Sequence, residues 1–129
     1  MYKYSERSKS KLLTCNKKIQ DIMNEVIKVY DCSILCGFRR KEEQDEAFNN
    51  GKSKVQWPNS KHNVLPSNAV DVAPYPVAWF GTNRFFFLAG LIKGIGWMKG
   101  YSVVWGADWD DNGDFTDQTF NDYGHFEVE

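Results

Sequence analysis

The sequence is poor in the residues that most often build metal sites and crosslinks, with two histidines and three cysteines in 129 residues. Cys15, Cys32 and Cys36 cannot all pair within one chain, and a chain of this length buries enough apolar surface to need no disulfide scaffold. They sit in or beside apolar stretches and read as reduced core thiols; a thiolate metal site would need further soft ligands, and no second close pair follows Cys32 and Cys36. Also missing is any apolar run approaching the ~18 residues of a membrane span. The basic N-terminus MYKYSERSKSKLL is not followed by an apolar run of signal-peptide length. Membrane insertion is not expected, and the chain reads as one made in the cytoplasm and kept there until released. An excess of one charge is absent as well: 16 basic against 17 acidic residues give a formal charge of −1, which offers nucleic acid no electrostatic footprint.

What is present is a well-punctuated set of elements. Leu12, Cys15, Ile19, Ile22, Met23, Val26, Ile27 and Tyr30 recur at three- and four-residue steps, predicting an amphipathic helix over 8–30. A short strand over 33–36 ends at Gly37, and a charged helix over 40–50 ends at Gly51, which leaves Phe38, Arg39 and Arg40 exposed at the junction. Polar residues 51–68, with Pro58 and Pro66, predict a long ordered loop containing His62. A buried strand over 69–73 closes at Pro74 and Pro76. Thr82 can then cap a helix through Lys99 that turns Phe85, Leu88, Ala89, Ile92 and Ile95 inward, its Gly90, Gly94 and Gly96 permitting close packing on a sheet. Strands over 102–105 and 125–128 flank an acidic loop. The order predicts one domain of α+β class, a small antiparallel sheet packed against helices.

The chemistry centres on the two histidines. His62 precedes Asp71 by nine residues, His125 follows Asp122 by three, and neither histidine lies on an apolar helix face. Two imidazoles and one carboxylate satisfy the three protein ligands of a catalytic zinc with a fourth position open. By themselves two histidines are weak evidence, because most are surface or structural residues.

The blocks around them say more. Ser60-Lys61-His62, then Ala69-Val70-Asp71-Val72-Ala73-Pro74, then Asp122-Tyr123-Gly124-His125-Phe126-Glu127 resemble the zinc peptidases of bacterial cell-wall peptides, the D-alanyl-D-alanine carboxypeptidase and L-alanyl-D-glutamate peptidase group. Gly37-Phe38-Arg39, followed by Glu42, Glu43 and Gln44, is similar to that family's arginine-bearing segment, so the likeness runs from Ser33 to the C-terminus. The interval between His62 and Asp71 is longer than in many members, so Asp71 is assigned from its Ala-Val-Asp context. That longer interval, with Pro66-Ser67 and then Pro74-Tyr75-Pro76, resembles bacteriophage endolysins.

The resemblance implies zinc held by His62, Asp71 and His125, and Asp122 as the carboxylate that moves the proton. Arg39 is the candidate to stabilise the oxyanion, with Arg40 as its rival. Ser60 either donates to a substrate carboxylate or carbonyl or is a plain loop serine. Glu127 either supports a ligand histidine or takes part in catalysis. The substrate implied is the peptidoglycan stem peptide, cut between L-alanine and D-glutamate by a monomer that waits in the host cytoplasm before release. A D-alanyl-D-alanine carboxypeptidase, a non-catalytic wall-binding or calcium-binding module and a structural zinc protein are the alternatives. Asp108, Asp110, Asn112 and Asp114 alternate with a glycine like the first half of a calcium loop, but position twelve is Thr119 instead of a bidentate glutamate, so a calcium site and an acidic turn both fit. Among Trp57, Trp79, Trp105 and Trp109, most read as core and some as walls of a peptide cleft.

Overall fold

A computed structural model describes residues 1–78, 81–114 and 121–129. The apolar period at the N-terminus folds as two helices instead of one, α1 (Glu6–Leu12) and α2 (Lys17–Val29). The period continues across the break, but Asn16 takes extended backbone angles, φ −67° and ψ 167°, and its side chain accepts the Ile19 N–H as an N-cap. Asn16 N–H reaches Ser67 O at 2.9 Å and Ser67 N–H reaches Thr14 O at 2.8 Å, so a distant segment claims the backbone groups a continuous helix would use.

Four strands, β1 (Cys32–Cys36), β2 (Ala69–Pro74), β3 (Val103–Trp105) and β4 (His125–Val128), form one sheet in the order β1-β2-β4-β3. Every neighbouring pair is antiparallel, which gives the α+β architecture expected from the element order. Between the strands lie α3 (Lys41–Asn49), a 3-10 turn at Lys61–Asn63 inside the expected loop, and α4 (Thr82–Met98). The N-cap of α4 is Gly81, without a side-chain hydrogen bond, where a Thr82 cap was expected.

Ile22, Met23 and Val26 of α2 meet Leu88 and Ile92 of α4 over Val70, Val72, Phe126 and Val128 of the sheet. Each such side chain contributes about 1.5–3 kcal/mol when fully buried, and this core fixes the register of β2 and β4. The end of α4 lies so close to β3 that a Cβ on Gly96 would meet Val103 Cγ2 at 2.7 Å; Gly90 and Gly94 have open space around them and no such role. No helix among the described residues is long and apolar enough to cross a membrane.

Of the three residues expected to be exposed after β1, only Arg40 is. Arg39 folds back across the sheet end, and its side chain keeps 15% of its exposure. The pairing of Asp71 with His125 across β2 and β4 puts two site residues side by side at that end.

Candidate metal centre

His62 is fixed from both sides. Ser60 caps the 3-10 turn, its Oγ accepting the His62 N–H at 3.1 Å, while Arg39 N–H donates to His62 O at 2.8 Å. The ring is buried, and its Nδ1 lies 2.7 Å from Gly37 O. A carbonyl can only accept, so Nδ1 carries the proton and Nε2 points inward with a bare lone pair. His125 is oriented the other way round: its Nε2 lies 3.0 Å from Glu127 Oε1, which leaves Nδ1 inward. Burial pushes the Glu127 carboxyl up, but the hydrogen bond and charge of His125 outweigh it and hold Glu127 below its usual range, as an acceptor.

Asp71 Oδ1 completes the set, 3.2 Å from His62 Nε2 and 3.0 Å from His125 Nδ1; the two nitrogens are 3.3 Å apart. Three electron-pair donors converging on one point repel each other unless a proton or a cation sits among them. Their separations are close to the ~3.3 Å edge of a tetrahedron with ~2.0–2.1 Å bonds, the size that zinc takes with nitrogen and oxygen ligands. Asp71 Oδ2 faces away and accepts from Arg39 Nη2 at 3.1 Å.

Without a cation, protons fill the site. Burial disfavours imidazolium, but the Asp71 charge and hydrogen bond outweigh it and raise His62 to about 10. His125 rises to about 9 against the same burial penalty, through hydrogen bonds to Asp71 and Glu127. Asp71 is held far below the usual carboxylate range: burial pushes it up, and the two imidazoles more than offset that.

Asp122 brings a carboxylate oxygen within 4.8 Å of donor atoms of Asp71 and His125. Burial first, and the Asp71 charge second, raise its pKa to about 6. Its place depends on Gly106: a Cβ there would meet Asp122 O at 2.2 Å, and backbone hydrogen bonds tie Gly106 to both Asp122 and His125. His62, Asp71, Asp122 and His125 open together into a cleft of about 970 Å³.

Comparison with known proteins matches residues 1–129, the entire chain, to the phage L-alanyl-D-glutamate peptidase family. The chain belongs to that family. It is 27% identical over 136 residues to the L-alanyl-D-glutamate peptidase of Escherichia phage T5, covering 98% of each chain. Its fold is similar to that of the Serratia marcescens L-Ala D-Glu endopeptidase ChiX, with a TM-score of 0.78, 22% identity, and coverage of 98% of this chain and 90% of that one.

In this peptidoglycan peptidase the two candidate arginines part company. Arg39 lines the cleft, held by Asp71 and by Gln44 Oε1 at 3.0 Å; Arg40 is exposed at the start of α3 and pairs with Glu43. Ser60 also lines the cleft, its oxygen already accepting from His62 N–H and its O–H left to donate. Cys36 Sγ lies 3.9 Å from His62 Nδ1, the nitrogen committed to Gly37, so it approaches the wrong side of the ring to join the other donors. Trp109 tilts against His125 with ring centroids 5.2 Å apart and forms cleft wall, whereas Trp105 is core and Trp79 lies outside the described residues.

The acidic loop curls on itself. Asp108 is buried, and its two oxygens accept the N–H groups of Asn112 and Gly113, while Asn112 Nδ2 donates to Asp110 Oδ2 and Asn112 Oδ1 accepts from Asp114 N–H. Thr119, at position twelve, lies outside the described residues.

Glu127, expected either to support a ligand histidine or to take part in catalysis, lies against His125 Nε2. Gln44 entered the sequence analysis only as part of the arginine-bearing segment, with no role of its own; in the fold it is fully buried and holds Arg39, Asn63, Ser53 and Val55 at once.

Proposed function

We propose that the chain is a zinc-dependent endopeptidase that hydrolyses the L-alanyl-D-glutamate bond of peptidoglycan stem peptides and serves phage lysis of the host. The convergence of His62 Nε2, Asp71 Oδ1 and His125 Nδ1, each with its outer atom already bonded, carries this reading. Zinc bound by these three residues would supply Lewis acidity, lowering the pKa of water to ~7 and polarising the scissile carbonyl. Asp122, ionised above about pH 6, accepts the proton of the attacking water and returns it to the departing D-glutamyl nitrogen. The Arg39 guanidinium at the cleft wall offsets charge developing on the carbonyl oxygen and, through Asp71 Oδ2, keeps the ligand carboxylate aimed. The Ser60 O–H is free to donate to a substrate carbonyl or carboxylate.

A calcium ion at Asp108, Asp110, Asn112 and Asp114 is the second cation in this proposal, supported by the alternating spacing and by Gly113 at φ +82° in the turn, and its binding would have to compete with the hydrogen bonds those oxygens accept within the loop.

Digestion of muropeptides by the zinc-loaded protein, read by mass spectrometry beside an Asp122→Asn control, tests the function. Peptides beginning at D-glutamate are expected. Release of terminal D-alanine instead would move the assignment to a carboxypeptidase, and intact muropeptides would defeat the enzyme reading.

A further inference from the structure

The ionised side chains along the cleft divide by sign. Among its described lining residues the acids are Asp71, Asp122 and Glu127, all engaged around the metal site, and one cation, Arg39, is bound to Asp71. The others are Lys52, Lys54 and Lys61, all three exposed. In a chain of net charge −1, the described lining of the cleft therefore carries four cations against three acids.

Lys61 stands nearest the chemistry. Its Nζ is 3.8 Å from Glu127 Oε2, and the other oxygen of Glu127 holds His125. The Lys61 side chain is 42% exposed and its ion pair is long, so the pair contributes little and the ammonium can take a second carboxylate.

The substrate presents one. D-Glutamate has two carboxyl groups, and the stem peptide continues through only one of them. The residue that departs with the scissile nitrogen therefore keeps a free carboxylate, unless the wall chemistry converts it to a carboxamide of the same size without charge.

We propose that Lys61, with Lys52 and Lys54 lining the same cleft, forms the subsite for this free D-glutamyl carboxylate and makes the enzyme discriminate acidic stem peptides from amidated ones. The proposal rests on the peptidase reading above. Charge-assisted hydrogen bonds to a carboxylate correspond to about tenfold or more in affinity.

The test uses two synthetic muropeptides that differ only in a D-glutamyl carboxylate or carboxamide. The wild-type enzyme should cut the acidic one with kcat/KM about tenfold higher. Lys61→Gln should raise KM for the acidic peptide by a similar factor, leave kcat within a few-fold, and bring the two peptides level; Lys61→Arg should restore the preference. Metal content and thermal melting of each variant establish that it is folded and loaded. Equal cutting of both peptides by the wild type overturns the subsite alone, as does a Lys61→Gln effect confined to kcat, which would show Lys61 acting through Glu127 and His125. A wild type that cuts neither peptide overturns the peptidase reading and the subsite with it.

Discussion

Asp71 and His125 stand opposite each other in the β2–β4 pairing, and their facing side chains bring Asp71 Oδ1 within 3.0 Å of His125 Nδ1. Cross-strand partners have Cβ atoms ~4.5–5.5 Å apart, so the register sets this distance before any metal arrives. His62 joins them from the 3-10 turn, which its own cap and Arg39 hold in place. The centre is thus built on backbone pairing, and removing one ligand should empty it without unfolding the chain. His125→Ala is expected to weaken zinc binding at least ~100-fold while circular dichroism stays native. An unfolded variant would instead favour a structural metal.

Asp122 carries a separate prediction, because its carboxylate lies beside the converging donors, within 4.8 Å of donor atoms of Asp71 and His125. Asp122→Asn keeps the shape and removes the base. Its kcat should fall by about 10²–10⁴ with zinc stoichiometry unchanged, as read by steady-state kinetics and elemental analysis. Loss of zinc with loss of activity would make Asp122 a ligand.

The raised histidines give the metal-free protein a pH dependence of defined sign. Folded pKa values of about 10 and about 9, against 6.5 for free imidazole, mean that their pairing with Asp71 stabilises the fold fully below pH 6.5. That contribution is lost as pH rises through 9 and 10. Thermal melts in chelator should show Tm falling from pH 7 to 10, while the zinc-loaded protein, with neutral imidazoles, should not show this fall. Zinc binding near pH 7 should accordingly expel protons and tighten as pH rises, measurable by calorimetry in buffers of different ionisation heat. A chelated protein that becomes more stable across this range would contradict the charged-pair account.

Much of this arrangement could be read from the chain, and the exceptions share a cause. The strand and helix order follows from local periodicity, and His62, Asp71 and His125 stand out because each sits in a short block of characteristic neighbours. The break at Asn16 could not be read, since the apolar steps run through it and the contact that stops the helix comes from Ser67. Arg39 looked exposed because its partners, Asp71 and Gln44, are supplied by β2 and α3. Features set by long-range pairing leave no mark in the local pattern.

Gln44 shows the same effect and leads to the last prediction. In sequence it is one polar residue on a charged helix, whereas in the fold its amide is completely buried. Its Oε1 accepts from Arg39 Nη1 and Asn63 Nδ2, and its Nε2 donates to Ser53 Oγ and Val55 O. It therefore links the cleft-wall segment around Ser53 and Val55 to Arg39, which holds the Asp71 carboxylate, and to Asn63, which follows His62. Gln44→Leu fills similar volume but strands the buried groups on these four partners, each costing about 1–3 kcal/mol where water cannot reach it. The cost should reach about 2–4 kcal/mol in a denaturation series, because the partners nearest the cleft recover water. Arg39 would also lose one of its two anchors, and partners of this outer kind typically change metal affinity by about 10–100-fold. Zinc affinity measured on the folded variant at low temperature should fall by that factor; an unchanged affinity alongside a lowered stability would confine Gln44 to the core.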